Sequence, residues 1–368
     1  MKNNNKKTYF ITGGGTGGHI YPALAVFEEL LTRENTQDIY YVGNPHNLEY
    51  RIVTSKGYKF LPVEVNGMPR KLSLGIFAWG MKLIWAILKA CFYILKYKPN
   101  AIFGTGGYVS APSVIAGKLL KVPYILHDCD AKPGIVTRKF SSGAKAVSLA
   151  FEDAKKFINN KNIHINGNPI RKNFQNLTRE QALENLGLQK DKLTICVMGG
   201  SQGAKSINSA TVEILEKLSN FQVIFQTGGK NFDKVIKDLK QIYPSYEQNK
   251  NLIIRPYFED MISVLKASDI AIARSGSLSL SEICASKVAS ILVPYPHAAA
   301  DHQRINARFM TLHGASLYIE DDDITGDTLF ELITSLTSNP QKLEELQNCA
   351  FAIAKFDGAD KIIEQLEA

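Results

Sequence analysis

The sequence predicts an α/β protein with two doubly wound, Rossmann-like domains that face each other across a cleft. Three observations lead to this fold class. The 368 residues are enough for two domains of ordinary size. Short apolar segments typical of strands alternate with longer segments of helical periodicity, and the alternation occurs once in each half. A glycine-rich turn follows the first strand of each half, at residues 13–18 and 199–203.

Ten short apolar segments carry the strand prediction. They are Tyr9–Thr12, Ile39–Val42, Ala101–Phe103, Tyr124–Leu126 and Ala146–Ser148, followed by Thr194–Met198, Val223–Gln226, Leu252–Arg255, Ile270–Ala273 and Ser290–Val293. We place the domain boundary near Gly167-Asn168-Pro169. Residues 1–167 then form the first domain, with a closing helix at about 352–368, and residues 168–351 form the second. Open sheets bind ligands at the carboxyl ends of their strands, so functional residues are expected in the turns that follow.

Composition and charge restrict the class of protein. Apolar content of 45% and charged content of 21% are typical of a folded chain. The five scattered cysteines form no CxxC pair, which indicates reduced thiols, and the amino terminus lacks the apolar core of a signal peptide. Residues 1–168 carry 22 Lys and Arg against 10 Asp and Glu, whereas the remainder carries 21 against 25. This asymmetry predicts that only the first half meets an anionic surface.

The most apolar stretch runs from Leu72 to Leu95 and is predicted to form one long helix. Lys82, Lys89 and Lys96 recur every seven residues and would share one stripe of it. A spanning helix needs about 20 residues largely free of charge, so we favour a helix that lies in the interface of an anionic membrane. The alternative is a buried helix of the first domain with a solvated lysine edge. Nucleic acid is not expected as a partner, because the basic residues are interleaved with large aliphatic ones.

The first glycine turn, Thr12 to His19, precedes a predicted helix at Tyr21–Leu31. Glycines let the backbone approach a ligand, and unpaired amides at a helix start attract anions. His19 places an ionisable group at the mouth of this turn, and we predict that it acts as the catalytic base of a glycosyl transfer. The turn also satisfies G-x-G-x-x-G, but the second strand ends in Val42-Gly43-Asn44 without the acid that a dinucleotide site requires. A nicotinamide or flavin enzyme is therefore disfavoured.

Further turns after predicted strands carry polar residues. The turn from Phe103 to Tyr108 either supplies a second set of amides or is only a tight turn. The turn from Gly199 to Ala204 precedes a helix and suits a nucleotide diphosphate. Arg171 either adds a positive charge beside that diphosphate or is a surface residue.

Two segments near the end of the second domain suit the sugar nucleotide. Glu282 either accepts hydrogen bonds from two ribose hydroxyls or favours the dipole of the helix that begins there. The amides of Gln303 and Asn306 suit neutral sugar hydroxyls. Asp321-Asp322-Asp323 is predicted to be a solvated turn, so no Asp-x-Asp triplet is placed to hold a divalent ion.

Six motifs in this order resemble the MurG family, whose members add N-acetylglucosamine to the lipid-linked muramyl-pentapeptide of peptidoglycan. The motifs are Gly13–His19, Gly104–Tyr108, Gly167–Arg171, Gly199–Ala204, Arg274–Glu282 and Asp301–Asn306. The family is similar to other GT-B transferases, which invert at the anomeric carbon and need no bound metal or cofactor. The resemblance implies UDP-N-acetylglucosamine as the donor and undecaprenyl-diphosphate-linked MurNAc-pentapeptide as the acceptor. It also implies peripheral attachment to the cytoplasmic face of the cell membrane.

The resemblance implies a role for each residue that matches a motif, with His19 as the base. Donor contacts are implied for Thr16, Gly17, Gly18, Asp130, Arg171, Ser201, the backbone near Phe258, the turn Ser277, Leu278, Ser279, Leu280, Ser281 and Glu282, and for Gln303 and Asn306. Acceptor-side residues are Gly104, Thr105, Gly106, Gly107 and Tyr108. No metal ligand is implied.

One segment departs from the family. Where its members usually show His-Glu-Gln-Asn, with the asparagine on the donor sugar, this chain has His127-Asp128-Cys129-Asp130. An ionised Asp130 accepts hydrogen bonds but donates none. It could hold a sugar hydroxyl, orient His19 or the acceptor, or cap the turn before Pro133.

Three other hypotheses stay open on the sequence alone. A related transferase could use another lipid acceptor, such as a diacylglycerol. A non-catalytic subunit could bind a nucleotide sugar, although a binder has no use for a base at position 19. A nucleotide-sugar epimerase on the same fold would convert the UDP-sugar without any lipid.

Overall fold

The structure is a computed structural model that describes residues 6–69, 75–170, 173–200, 202–298 and 301–368. The chain divides into two compact units. The first contains Met1–Ile170 and Lys355–Ala368, and the second contains Arg171–Ala354. The predicted boundaries at 167 and 351 lie three residues before these at each end. Arg171 and Ser201, as well as Arg70 to Leu74 at the start of the long apolar stretch, fall outside the described residues.

The first unit is a parallel sheet covered by helices on both faces. Its strands are β1 (Lys7–Thr12), β2 (Thr36–Gly43), β3 (Phe60–Pro62), β4 (Ala101–Gly104), β5 (Tyr124–Asp128), β6 (Ala146–Leu149) and β7 (Ile163–Ile165). The helices between them are α1 (Gly17–Leu31), α2 (Leu48–Ser55), α3 (Gly75–Tyr97), α4 (Gly107–Leu119) and α5 (Ile135–Phe140). The strand order is β3-β2-β1-β4-β5-β6-β7, so the chain winds outward from β1 and β4 in both directions.

The second unit repeats this architecture. Its helices are α6 (Asn173–Asn176), α7 (Arg179–Leu186), α8 (Lys205–Ile214), α9 (Phe232–Ile242), α10 (Met261–Ala267), α11 (Ser277–Ala285), α12 (His302–Leu312), α13 (Gly326–Thr337) and α14 (Pro340–Ile353). Its strands are β8 (Thr194–Met198), β9 (Gln222–Gln226), β10 (Leu252–Arg255), β11 (Ile270–Ala273), β12 (Ala289–Leu292) and β13 (Ser316–Tyr318). The order β10-β9-β8-β11-β12-β13 is again doubly wound. A last helix, α15 (Gly358–Glu367), belongs to the first unit.

The predicted fold class is confirmed, and each of the ten predicted strand segments falls on an observed strand. Central strands of a parallel sheet are buried on both faces, which is why they appear as continuous apolar runs. The strands that the sequence missed are β3, β7 and β13, each three residues long and each at a sheet edge. Segments this short show no periodicity that distinguishes them from loops.

Two apolar layers cover the first sheet. On one face, Ile20 and Phe27 of α1 pack with Ile362 and Ile363 of α15 against β1 and β4. On the other face, α3 and α4 pack against residues of β1, β4 and β5. The last helix is therefore part of the first unit's core, although the second unit precedes it in the chain.

Helix α3 uses both of its faces. Ala86, Ala90 and Ile94 are buried against the sheet. The opposite face exposes large apolar side chains at helical spacing: Phe77, Met81, Ile84, Trp85, Leu88, Phe92 and Leu95. By helical geometry, Lys82, Lys89 and Lys96 lie along one side of this exposed apolar stripe.

Within the described part of the chain, α3 is the single helix whose length and composition would allow it to cross a membrane. Its small residues, however, pack into the core of a folded domain. One face of α3 is thus part of the domain core, as the second alternative required, and the other face is exposed, whereas its contact with a membrane stays a prediction.

Substitution of Ile363 tests whether α15 is integral to the first unit. Ile363→Ala removes a fully buried side chain, and such a change costs about 2–5 kcal/mol of unfolding free energy. We expect the first unit's calorimetric transition to shift to lower temperature. The control Leu119→Ala truncates a side chain that is 65% exposed in the same unit and should change stability by at most about 0.5 kcal/mol. Equal effects of the two substitutions would contradict this packing.

Candidate active site

The first two glycine turns meet at the point where the strand order of the first sheet reverses. The first turn follows β1 and the second follows β4, and these strands are neighbours that pair in parallel from Tyr9 with Ala101 to Thr12 with Gly104. From β1 the chain continues through α1 to β2, and from β4 it continues through α4 to β5, which lies on the opposite side of the β1–β4 pair. Such a switch point is where doubly wound sheets bind their ligands.

His19 lies in the first turn of α1, with its ring against the second glycine turn. A Cβ atom on Gly107 would stand 2.8 Å from the carbonyl oxygen of Gly14 and 3.1 Å from Cδ2 of His19. Gly106 and Gly107 both have positive φ, 83° and 69°, which only glycine adopts without strain. The glycines of the second turn thus leave the space that the imidazole ring occupies.

Thr105 fixes His19 at two points. The Nδ1 atom of His19 lies 2.8 Å from the carbonyl oxygen of Thr105, and the Thr105 hydroxyl donates to the carbonyl of His19 at 2.7 Å. A carbonyl can only accept, so this bond requires the proton on Nδ1 and leaves the Nε2 lone pair for base chemistry. Among the described residues none hydrogen-bonds to Nε2, and the ring is partly exposed. The orientation of the ring is therefore compatible with the predicted base, which stays a prediction.

The five acceptor-side residues come together here, but most of them serve the scaffold. Gly104 ends β4 inside the sheet and Thr105 is fully buried, so neither presents a side chain to an acceptor. Gly106 and Gly107 pack against His19. Tyr108 is partly exposed, accepts a hydrogen bond from the Asn47 amide at 2.9 Å and lies over Gly15. Of the side chains in this segment, that of Tyr108 is the one with exposed surface, and its contact with an acceptor stays a prediction.

Thr16, Gly17 and Gly18 form the start of α1, and their predicted contact with the donor stays a prediction. Thr16 is the N-cap of α1 and is exposed, and its side chain makes no capping hydrogen bond. The first turn of α1 contains no acid, so its positive end is not neutralised by the helix itself. Gly15, one residue earlier, donates its amide to Glu49 at 3.2 Å. The sequence did not point to Glu49, which approaches from α2.

His127 and Asp128, at the end of β5, are structural. His127 is fully buried between the Ser148 hydroxyl and the Asn168 side-chain carbonyl, and burial lowers its pKa to about 4. Asp128 accepts the amides of Gly134 at 2.9 Å and Asp130 at 3.3 Å. Burial, and then the charge of Asp130, raise the pKa of Asp128 to about 6.

Cys129 and Asp130 continue this segment toward His19. The Cys129 sulfur lies 3.8 Å from Nδ1 of His19, and Asp130 is partly exposed. Ligand atoms of Asp128, Cys129 and Asp130 lie within 4.8 Å of one another. Both oxygens of Asp128 already accept backbone amides, so we assign no metal site to this group.

In the second unit, the turns at the carboxyl ends of the central strands leave the main chain accessible. The strands β9, β8 and β11 are neighbours, and Gly229, Gly200 and Gly276 follow them. A Cβ atom at any of these three glycines would meet nothing within 4 Å. In contrast, a Cβ on Gly203 would stand 2.1 Å from the carbonyl of Thr227, so this glycine serves close packing. The open glycines allow a ligand to approach the main chain.

The segment 277–282 is only partly available to a ligand. Leu280 is 1% exposed and belongs to the core, and Ser277 is buried with its carbonyl accepting from the Ser281 hydroxyl. These two side chains therefore do not fit the predicted donor contacts. Leu278, Ser279, Ser281 and Glu282 are partly exposed. Glu282 is the sixth residue of α11, outside its first turn, so the helix-dipole explanation for this carboxylate is weakened.

The side chain of Asn306 does not fit its predicted contact with the sugar, whereas the predicted backbone contact near Phe258 stays a prediction. Asn306 is fully buried and donates to the carbonyl of Ser275 at 3.2 Å, so it holds the turn before α11 instead of contacting a sugar. The amide of Phe258 donates to the side chain of Gln226 at 3.0 Å, which leaves its carbonyl for a ligand. Gln303 is partly exposed, and its side-chain oxygen accepts from the amide of Tyr295 at 2.9 Å.

Residues 321–323 form the predicted turn, with Asp322 and Asp323 exposed, but the side chain of Asp321 is partly buried. It pairs with the guanidinium of Arg274, which also donates to the Ser206 hydroxyl at 3.2 Å and to the Val293 and Pro294 carbonyls at 3.1 and 3.0 Å. These bonds tie the ends of β11 and β12 together. The residues meet only in the fold, since 47 positions separate Arg274 from Asp321.

Two Rossmann-like units, with glycine turns at the switch point of each sheet and a base-competent histidine at one, define the class as a GT-B glycosyltransferase. The chain resembles the crystal structure of MurG from Acinetobacter baumannii, with a TM-score of 0.79, 26% identity and coverage of 98% and 99% of the two chains. A UDP-glucose:anthocyanidin 3-O-glucosyltransferase in complex with UDP gives a TM-score of 0.70 at 12% identity, which shows the fold alone.

The sequence comparisons are more specific. The N-terminal domain model of glycosyltransferase family 28 matches residues 9–149, and the C-terminal domain model matches residues 194–366. A UDP-N-acetylglucosamine--N-acetylmuramyl-(pentapeptide) pyrophosphoryl-undecaprenol N-acetylglucosamine transferase from Thermoanaerobacter sp. (strain X514) is 38% identical over 98% of this chain and 99% of its own. The enzyme of the same name from Bacillus subtilis (strain 168) is 33% identical, covering 97% and 98%. The chain belongs to glycosyltransferase family 28 and, within it, to the MurG family.

The raised pKa of Asp128 makes a prediction about stability. Its folded-state pKa of about 6 lies above the ordinary 3.8, so this carboxyl stabilises the fold at low pH and loses that contribution as pH rises through about 6. A difference of this size corresponds to about 3 kcal/mol. We expect the unfolding free energy of Asp128→Asn, minus that of the wild type, to rise by about 3 kcal/mol between about pH 4 and pH 8. Urea unfolding measures it, and a difference independent of pH would contradict the assignment.

Proposed function

We propose that the protein transfers N-acetylglucosamine, with inversion, from UDP-N-acetylglucosamine to the 4-hydroxyl of MurNAc-pentapeptide on undecaprenyl diphosphate. This reaction converts lipid I to lipid II in peptidoglycan synthesis, and so serves cell-wall biogenesis, cell shape and division. The named relatives, which match nearly the full chain, support the substrates. The observation that carries the chemistry is the imidazole of His19, fixed through Nδ1 with Nε2 free to accept a proton.

The proposed step is a single displacement. The acceptor hydroxyl oxygen forms a bond to the anomeric carbon while the bond from that carbon to the UDP phosphate oxygen breaks. Nε2 of His19 takes the hydroxyl proton, and UDP leaves with the electron pair. General-base assistance of this kind contributes about 10²–10⁴ in rate.

The second unit holds the donor in this proposal. Backbone amides near Gly200 and the charge of Arg171 stabilise the leaving diphosphate, in place of a metal. Glu282 accepts hydrogen bonds from the ribose hydroxyls. The rest of the donor is contacted by Gln303, Ser201 and the exposed part of the 277–282 turn. Thr16, Gly17 and Gly18 meet the sugar beside His19. We place Asp130 on the same side, as an acceptor for a sugar hydroxyl, because it is partly exposed and its segment reaches His19 through Cys129.

The first unit attaches the enzyme to the membrane, and we infer a peripheral position on the cytoplasmic face. The exposed apolar stripe of α3, with lysines along its side, supports this attachment to an anionic surface. Attachment by one helix face leaves the domain folded in water and brings it to a lipid-linked acceptor.

A radiolabel transfer assay with UDP-N-acetylglucosamine tests the proposal. Offered the muramyl lipid and a diacylglycerol in parallel, the protein should label only the muramyl lipid. Labelling of the diacylglycerol would establish a related transferase instead. Conversion of the UDP-sugar without lipid would indicate an epimerase, and binding without turnover would indicate a non-catalytic subunit.

Replacement of His19 tests the base. His19→Ala should lower kcat by about 10²–10⁴, because the proposed general base is lost, while the affinity for UDP-N-acetylglucosamine stays within about twofold. Initial rates and calorimetric titration provide the two quantities. His313→Ala, at an exposed histidine of the second unit, serves as the control and should leave both unchanged. Undiminished turnover by His19→Ala would refute the assignment.

Replacement of two aromatic residues of α3 tests the membrane surface. Trp85 and Phe92 are 69% and 58% exposed, and burying such a side chain contributes about 1.5–3 kcal/mol. The double variant Trp85→Ser, Phe92→Ser should bind anionic vesicles at least about tenfold more weakly in a sedimentation assay. Leu312→Ser, at a residue 84% exposed outside the stripe, should bind normally. Equal binding by both variants would place the membrane contact elsewhere.

A further inference from the structure

A buried carboxylate lies beneath the first glycine turn, and the reaction described above does not use it. Glu49 is the second residue of α2 and has no exposed surface. Its Oε2 atom accepts the amide of Gly15 at 3.2 Å, and its Oε1 atom accepts the amide of Asn44 at 3.3 Å. The two oxygens therefore join the turn after β1 to the end of β2.

The carboxylate also occupies the space next to Gly14. A Cβ atom on Gly14 would stand 2.5 Å from Cδ of Glu49, and 2.6 and 2.8 Å from its two oxygens. Near this carboxylate, the buried hydroxyl of Tyr41 donates to the carbonyl of Gly13 at 2.6 Å. The carboxylate of Glu49 and the hydroxyl of Tyr41 thus both support the backbone of the turn.

The supported backbone leads directly to the catalytic histidine. Gly107 lies between the carbonyl of Gly14 and the ring of His19. A Cβ atom on Gly107 would stand 2.8 Å from the Gly14 carbonyl oxygen and 3.1 Å from Cδ2 of His19. Gly15 packs against the ring of Tyr108, since a Cβ atom on Gly15 would stand 3.1 Å from Cε1 of that ring. A displacement of residues 13–15 would therefore be passed to the imidazole ring and to Tyr108.

We propose that Glu49 is a positioning residue for the glycosyl transfer, because it acts as the built-in anion of the first glycine turn and holds that turn in the shape that presents His19. This inference rests on the proposed function. A glycine turn before a helix ordinarily attracts a phosphate, but here the amide of Gly15 already has a carboxylate as its partner. Phosphate groups of the substrates are consequently directed away from this amide.

The chemistry of the site requires a carboxylate. Two N–H donors converge on Glu49, and only a carboxylate offers an acceptor oxygen to each of them. Glutamine has nearly the same shape but would place an NH₂ group against one of these donors. Glu49→Gln therefore removes one support of the turn with little change in packed volume.

The test compares Glu49→Gln with Glu29→Gln. Glu29 is also a buried glutamate of the first unit, but it lies near the end of α1 and pairs with Arg33. A small misplacement of a catalytic group costs up to about 10²-fold in rate, so we expect kcat of Glu49→Gln to fall by about 10- to 100-fold. Its affinity for UDP-N-acetylglucosamine should change much less than kcat, because the proposed contacts with the ribose and the diphosphate are in the second unit. Glu29→Gln should keep its kcat within about twofold.

Hydrogen–deuterium exchange of the peptide that covers residues 13–20 gives a readout that does not depend on activity. It should be faster in Glu49→Gln than in the wild type or in Glu29→Gln. Unchanged kcat and unchanged exchange in Glu49→Gln would overturn the inference, as would an equal loss of kcat in both variants. If the wild type transfers no sugar, the proposed function fails, and the exchange measurement alone then decides whether Glu49 holds the turn.

Discussion

The hydrogen bond between Nδ1 of His19 and the carbonyl of Thr105 is the interaction on which the catalytic unit depends. It orients the ring and, in the neutral imidazole, leaves the lone pair on Nε2, the atom that we propose as the base. It can form only because β1 and β4 are adjacent in the sheet, although their turns are 86 residues apart in the chain. The glycines at 106 and 107 give the ring room, and the buried Thr105 side chain ties the helix start to the same strand end.

The two units use glycine turns in opposite ways. In the first unit, the turn after β1 is filled from below by Glu49, so its glycines serve close packing around a side chain. In the second unit, Gly200, Gly229 and Gly276 face open space and leave the main chain to a ligand. The same sequence pattern therefore supports a catalytic side chain in one unit and suits binding of an anionic donor in the other. Burial of an internal anion is the physical difference between them.

Sequence reasoning was strongest where chemistry is local. The central strands and the placement of His19 at the start of a helix follow from apolar runs and a glycine-rich turn, both of which are visible within a few residues. The direction of each side chain was harder to predict, because a motif that covers a turn of helix includes residues on the buried face as well as on the exposed face. Leu280 and Asn306 therefore stood among the donor contacts although both side chains point into the core. Asp321 seemed solvated because its partner, Arg274, is distant in the chain.

The sequence by itself determined the two doubly wound domains and the family, and it predicted His19 as the base, because apolar periodicity, glycine spacing and motif order are properties of neighbouring residues. Only the tertiary structure decided the tautomer of His19, the anion beneath its turn and the double use of α3. Each of these depends on atoms brought together from distant segments: Thr105 from β4, Glu49 from α2, and the sheet that buries one face of α3. Hydrogen bonds and burial act over a few ångströms in space, whatever the separation along the chain.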